Sequence, residues 1–274
     1  MIEGVVLLAG SHPRQRTVAR RIHDLGCLAG LVVEEREAHV PPIPDGLSPT
    51  TAALFQRHFD LRAQAETRFF GGEEVQFPTG IPTLRVDMKG LNSVETQDFI
   101  RRISPTLLLS YGCHKVTAET RAAAPGIRWN IHGGLSPRYR GVTTHFWPSY
   151  LLEPQMTGMT VHVMTDELDG GDVVHQCTGP LTRGDGLHDL ACRTVSEIVA
   201  ELPQLVERAV SGKALDAPAP QRGPTRLWQV ADWSPAHLHL IYEVYGDRIV
   251  DHYLDGALTQ RLPVLVRQSS VGRS

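Results

Sequence analysis

Two periods alternate along most of this chain. Residues 4–9 (GVVLLA) form a short apolar run, residues 14–25 carry apolar positions at helical spacing among arginines, and Leu28–Glu34 is a second apolar run. The opening therefore predicts a β-α-β unit. A Pro-rich stretch at 40–49 interrupts regular structure, and residues 50–70 predict a long charged helix. After it, Thr83–Val86 predicts a strand, Val94–Ile103 a helix, residues 106–110 a strongly apolar strand and residues 127–131 another. Residues 160–164 and 172–176 predict two further strands ahead of a helix over Leu187–Ser211. Strands and helices in this alternation predict an α/β fold, a mostly parallel sheet covered by helices.

The pattern changes at 214–224, which is rich in Pro, Ala and Gly and predicts a linker or an extended arm. Beyond it, residues 238–245 and 248–254, separated near Gly246 and Asp247, predict a small hairpin. The expected organisation is a main domain over 1–213, a linker over 214–226 and a small β-rich appendage over 227–274.

Composition narrows the function classes. The chain has 274 residues, 41% hydrophobic and 21% charged, with a formal net charge of −3, so no general attraction to a polyanion exists and nucleic acid is not an expected partner. Met1 to Gly10 is an apolar run around Glu3 with no basic leader, which predicts a buried first strand. No apolar stretch approaches the roughly 20 residues that cross a bilayer, so no membrane association is expected and the expected location is the cytoplasm. Cys27, Cys113, Cys177 and Cys192 are widely spaced, which predicts free thiols. The thirteen histidines include no His-Glu-x-x-His pair, so no metal is expected.

The chemistry concentrates in Trp129-Asn130-Ile131-His132, in Pro137-Arg138-Tyr139-Arg140-Gly141 and in Asp166-Glu167-Leu168-Asp169-Gly170-Gly171-Asp172. Residues i and i+2 of a strand point to one side, so Asn130 and His132 can face one pocket at the end of a parallel strand. A carboxylate from the Gly-rich loop can meet them there. Separately, the Gly10-Ser11 turn after the first strand could receive an anionic group at a helix N-terminus.

Together with Thr157-Gly158-x-Thr160-x-His162 and Leu168-Asp169-x-Gly171, in this order, these segments resemble the folate-dependent formyltransferase family of glycinamide ribonucleotide, methionyl-tRNA and sugar N-formyltransferases. The resemblance implies a Rossmann-like fold, N10-formyltetrahydrofolate as formyl donor and an amine as acceptor, with Asn130, His132 and Asp169 as the catalytic centre. Amine attack on a formyl carbon builds negative charge on oxygen and positive charge on nitrogen. Asn130 and a protonated His132 can donate to the oxygen, while Asp169 stabilises the imidazolium and accepts the amine proton. The resemblance also implies a pterin held by the loop over residues 164–169, through Met164, Asp166, Glu167 and Leu168, with Leu107, Leu109 and Tyr111 as an apolar slot. Arg138, Tyr139 and Arg140 would line the acceptor site, together with Gly10 and Ser11.

One segment departs from the family. Gly133-Gly134-Leu135-Ser136-Pro137 stands where many members carry Ser-Leu-Leu-Pro, and with Phe146-Trp147-Pro148 it is similar to enzymes of polysaccharide and sugar assembly. The expected acceptor is a nucleotide-linked amino sugar. A hydroxyornithine-type amine, methionyl-tRNA, a formyltetrahydrofolate hydrolase and a non-catalytic folate-binding module remain as alternatives. The tail is expected to build a homodimer surface or to cover the acceptor cleft.

Overall fold

The computed structural model describes residues 4–36 and 40–272, apart from the side chain of Glu73; Met1 to Glu3 of the expected first strand lie outside that set. β1 (Val5–Gly10), α1 (Pro13–Asp24) and β2 (Leu28–Glu34) form the opening unit. α2 (Pro49–Phe70) follows, started by Ser48, whose side chain accepts from the Thr51 N–H, and stopped by Gly71 in the left-handed region at φ 76°. Then come β3 (Thr83–Val86), α3 (Val94–Ile103), β4 (Leu107–Tyr111), α4 (Ala118–Ala122), β5 (Ile127–His132), the two-residue β6 (Arg140–Gly141) and α5 (Trp147–Tyr150). β7 (Gly158–Val163), β8 (Val173–Thr178) and the long α6 (Leu187–Ser211) complete the main body. The tail holds β9 (Leu227–Trp228) and α7 (Ile249–Leu254).

Seven strands form one sheet in the order β3-β2-β1-β4-β5-β7-β8. The first five run parallel, β7 is antiparallel to β5, and β8 is antiparallel to β7. The order reverses between β1 and β4, which opens a crevice at the carboxyl ends of the central strands. β1 is buried along its whole length because helices cover both faces. Leu7 on one face packs with α1 and α6, and Leu8 on the other packs with α3; both are wholly buried. Truncating either to alanine should cost about 2–5 kcal/mol.

The tail corrects one expectation. Residues 238–254 form no hairpin: Leu240–Val244 is a π-helical turn and α7 follows it. The apolar positions explain why. Leu238, Ile241 and Tyr242, then Ile249, Val250 and Tyr253, are buried at spacings of three and four, a helical period that the polar residues between them disguised as alternation. Leu238, Ile241, Tyr242 and Ile249 pack with Phe55, Phe146 and Trp147 in a cluster shared with α2 and α5. Among the described residues, the only strand beyond the arm is β9, which pairs in parallel with β6, and Trp228 stacks on Trp147 at 4.0 Å.

Candidate active site

Pairing register fixes the first members of the site. Asn130 lies beside Ser110 of β4 and opposite His162 of β7, and all three meet at the upper half of the sheet. Ser110 Oγ donates to Asn130 Oδ1 at 2.6 Å. His162 Nδ1 is 2.9 Å from the Val163 carbonyl, which can only accept, so Nδ1 carries the ring proton. Nε2 of His162 then accepts from Asn130 Nδ2 at 3.0 Å. The chain of donors orients the Asn130 amide and leaves its second hydrogen on a long 3.4 Å contact with Asp169 Oδ1.

The same tautomer argument applies to His132. Its Nε2 lies 2.6 Å from the Tyr139 carbonyl and must donate, so the lone pair of the neutral ring sits on Nδ1, 3.4 Å from Asp169 Oδ2. A proton arriving on Nδ1 would be held between the ring and that carboxylate. Burial pushes the His132 imidazole below the usual histidine range, against the opposing pull of Asp169. Burial therefore favours the neutral form of the ring at rest. Asp169 stays ionised: burial raises its carboxyl, but His132, His162 and the Gly141 N–H outweigh it and hold it at about 2. The Gly141 N–H donates to Oδ2 at 2.9 Å.

Two cavities flank this group. One, of about 80 Å³, is lined by Ser110, Asn130, His162, Met164, Glu167, Leu168 and Asp169, among others. The other, of about 360 Å³, begins at Gly133, just past His132, and is lined by Arg14, Gln15, His58, Arg62, His145, His188 and Trp233, among others. Its wall contains two guanidinium groups and no carboxylate. Glu66 stands behind it, taking Arg14 Nε at 2.8 Å, with Arg62 Nε at 3.7 Å from the same oxygen. Gln15 Oε1, His145 Nε2 and Trp233 Nε1 are buried there without a hydrogen bond. Unpaired polar atoms of this kind suit a bound polar molecule.

Several candidates from the sequence sit elsewhere. Leu107 and Leu109 are wholly buried in the core under α1 and α6, because the strand's period of two sends them to the face opposite Ser110 and Asn130. Tyr111, on that same face, lines the larger cavity. The Asp166 side chain turns outward to Arg121 Nη2 at 2.5 Å. Gly10 and Ser11 reach neither cavity wall. Ser11 Oγ accepts from the Arg36 N–H, and Pro13 removes one amide from the start of α1. Arg138 pairs with Glu153, and the Tyr139 hydroxyl joins them. Arg140 donates from Nε and Nη2 to the Leu168 carbonyl and pairs with Glu167. Tyr139 and Arg140 thus support His132 and the acidic loop from behind, and neither lies on the wall of either cavity.

Residues 66–206, just over half of the chain, match the family model described as formyl transferase, and the chain belongs to that family. It is 31% identical over 130 residues to phosphoribosylglycinamide formyltransferase of Escherichia coli strain K12, covering 47% of this chain and 54% of that one. It is 30% identical over 120 residues to the bifunctional polymyxin resistance protein ArnA of Wigglesworthia glossinidia brevipalpis, covering 43% of this chain and 18% of that protein. The matches thus span about half the length of these relatives, or less. The fold recurs in the N-formyltransferase of Helicobacter canadensis in complex with folinic acid and dTDP-3-aminofucose, with a TM-score of 0.53 at 13% identity, covering 85% of this chain and 73% of that one. Among the described residues, no helix is long and apolar enough to cross a membrane.

Proposed function

We propose that this chain transfers the formyl group of N10-formyltetrahydrofolate to a primary amine of a small molecule, a nucleotide-linked amino sugar before a hydroxyornithine-type amine. The observation that carries this reading is the meeting of Asn130, His132 and Asp169 between two cavities. The smaller cavity takes the formyl-bearing end of the folate, and the larger takes the amine. The amine nitrogen attacks the formyl carbon, the bond from that carbon to N10 breaks, and the leaving nitrogen is reprotonated. The loosely held hydrogen on Asn130 Nδ2 serves the formyl oxygen as its charge develops. His132 Nδ1, backed by Asp169, takes the amine proton.

Arg14 and Arg62 give the larger cavity an excess of positive charge, which favours an acceptor with an anionic group distant from its amine. The Helicobacter canadensis protein, with its folate analogue and its nucleotide-linked amino sugar, supports the same pairing of ligands. The test is to incubate the chain with 10-formyltetrahydrofolate and a panel of dTDP- and UDP-linked amino sugars and hydroxyornithine. Tetrahydrofolate release and the mass of the amine are then followed. Formyl transfer to an amine is expected. Formate release without any amine would make the protein a hydrolase, and folate binding without turnover would make it a binding module.

A further inference from the structure

We propose that Gln221, in the arm that follows α6, is a positioning residue for Asp169, an inference that rests on the formyltransferase reading. Gln221 Nε2 donates to the Asp169 carbonyl at 2.7 Å and to the Gly171 carbonyl at 2.8 Å. Asp169 gains from such support because its backbone is left-handed at φ 49°, a conformation that favours glycine. Turning the amide around would set its oxygen against two carbonyl oxygens, so the donor end must face the loop. The other end, Oε1, is buried with no hydrogen-bond partner. A side chain that leaves one polar atom unsatisfied to make these two bonds is costly unless the loop geometry matters.

The arm itself is fixed on both sides of this contact. Upstream, Ala219 and Val173 exchange both backbone hydrogen bonds, at 2.7 and 2.8 Å. Downstream, β9 pairs with β6, whose Gly141 N–H holds Asp169 Oδ2. A Cβ at Gly141 would meet the Trp228 carbonyl at 2.1 Å, so the close approach of the two strands requires glycine there. The arm therefore grips the acidic loop at its backbone through Gln221 and at its carboxylate through Gly141.

The experiment compares Gln221→Ala, Gln221→Glu and Gln221→Lys with the parent. It reads affinity for 5-formyltetrahydrofolate, amide exchange at residues 169–171 and titration of the His132 ring by NMR, with Asp169, His162 and Arg140 as the titratable and charged groups that face it. Gln221→Ala is expected to keep the folate affinity, to exchange faster at the loop and to lower the His132 pKa by about 1 unit as the carboxylate drifts away. Gln221→Glu should exchange as fast as the alanine variant, its own negative charge offsetting the fall in the His132 pKa, and Gln221→Lys, which keeps a donor nitrogen, should restore the parent exchange at the loop. An unchanged His132 titration in the alanine variant would overturn the proposal. Should that variant fail to fold, loop exchange in the lysine and glutamate variants decides the question, and equal rates overturn the proposal. A parent protein that binds no folate would overturn the functional reading instead and leave the His132 measurement as the test of Gln221.

Discussion

The two cavities beside β5 are assembled in opposite ways. The smaller is composed of three short pieces of chain, residues 110–116, Asn130 and residues 162–169, all on adjacent strands or the loop that follows them. The larger is lined from α1, α2, Tyr111 of β4, Gly133, residues 143–146, α6 and the tail. A pocket of the first kind is written in local motifs, because strand register and a period of two place its residues. One of the second kind exists only after helices pack, and no spacing in the sequence announces it. The smaller cavity, the donor side in the proposed reading, is thus locally encoded, and the larger is a product of tertiary structure.

The largest effect is expected where the two cavities meet. His132→Ala and Asn130→Ala should each lower single-turnover formyl transfer by about 10²- to 10³-fold, the usual cost of removing a group that serves the developing charge. 5-Formyltetrahydrofolate should still bind, since most of the smaller cavity remains. Near-parental rates in either folded variant would remove that residue from the centre and leave the boundary between the cavities without chemistry.

Acid should separate the two sides next. Burial is the first cause that pushes His58 and His145 in the larger cavity down to about 3, and it pushes His188 well below its ordinary 6.5; nearby Arg14 lowers His145 and His188 further, and Arg62 lowers His58 and His188. The folded state keeps all three neutral. As pH falls below about 6.5 the unfolded chain binds protons that the folded chain refuses, so each histidine removes up to about 1.4 kcal/mol of stability per pH unit. Asp169 has the depressed pKa of a stabilised carboxylate. Its contribution is present above its ordinary 3.8 and disappears as pH falls toward about 2, so it comes later. The urea midpoint should drop between pH 7.5 and 5.5, and His58→Gln should flatten that slope. A midpoint that does not move over this range would show that the three rings are not held neutral.

The same contrast governs what the sequence discloses. The strands Leu28–Glu34 and Thr83–Val86 and the helices Val94–Ile103 and Leu187–Ser211 follow from periodicity alone, because burial on one face or both dictates each pattern. Asn130, His132 and Asp169 are placed together as the motif spacing suggests. His162 was visible two residues after Thr160 on an antiparallel strand, and the register with Asn130 makes it a member of the group. Leu109 suits an apolar slot by its residue type, although the strand turns it away from the smaller cavity that Ser110 lines. Arg14, Arg62, His145 and Gln221 gave no signal, since each acquires its meaning from partners far along the chain.

A tenfold effect is expected from the acceptor side. Arg62→Ala should raise the KM for the amine found in the panel about tenfold, the worth of one hydrogen bond to a charged group, with folate affinity and the rate at saturating amine preserved. Weaker folate binding with an unchanged amine KM would place Arg62 on the donor side and dissolve the division between the cavities.

The smallest effect should come from Ser110, the one hydroxyl that touches Asn130 Oδ1. Ser110→Ala removes a 2.6 Å hydrogen bond but keeps the Asn130 link to His162 Nε2 at 3.0 Å, so the amide loses one of its two anchors. A single neutral hydrogen bond contributes about 0.5–1.5 kcal/mol, which sets the expected loss in single-turnover rate at about two- to tenfold. The serine is nearly buried and its replacement by alanine leaves no large void, so stability should fall by no more than the same amount. The loss should appear in the transfer step and not in amine KM, because Ser110 lies on the wall of the smaller cavity only. Equal loss in Ser110→Ala and Asn130→Ala would mean that the hydroxyl itself reaches the formyl oxygen. No loss at all would mean that His162 alone suffices to orient the amide, and the donor side would then depend on one strand pair, β5 with β7, rather than on two.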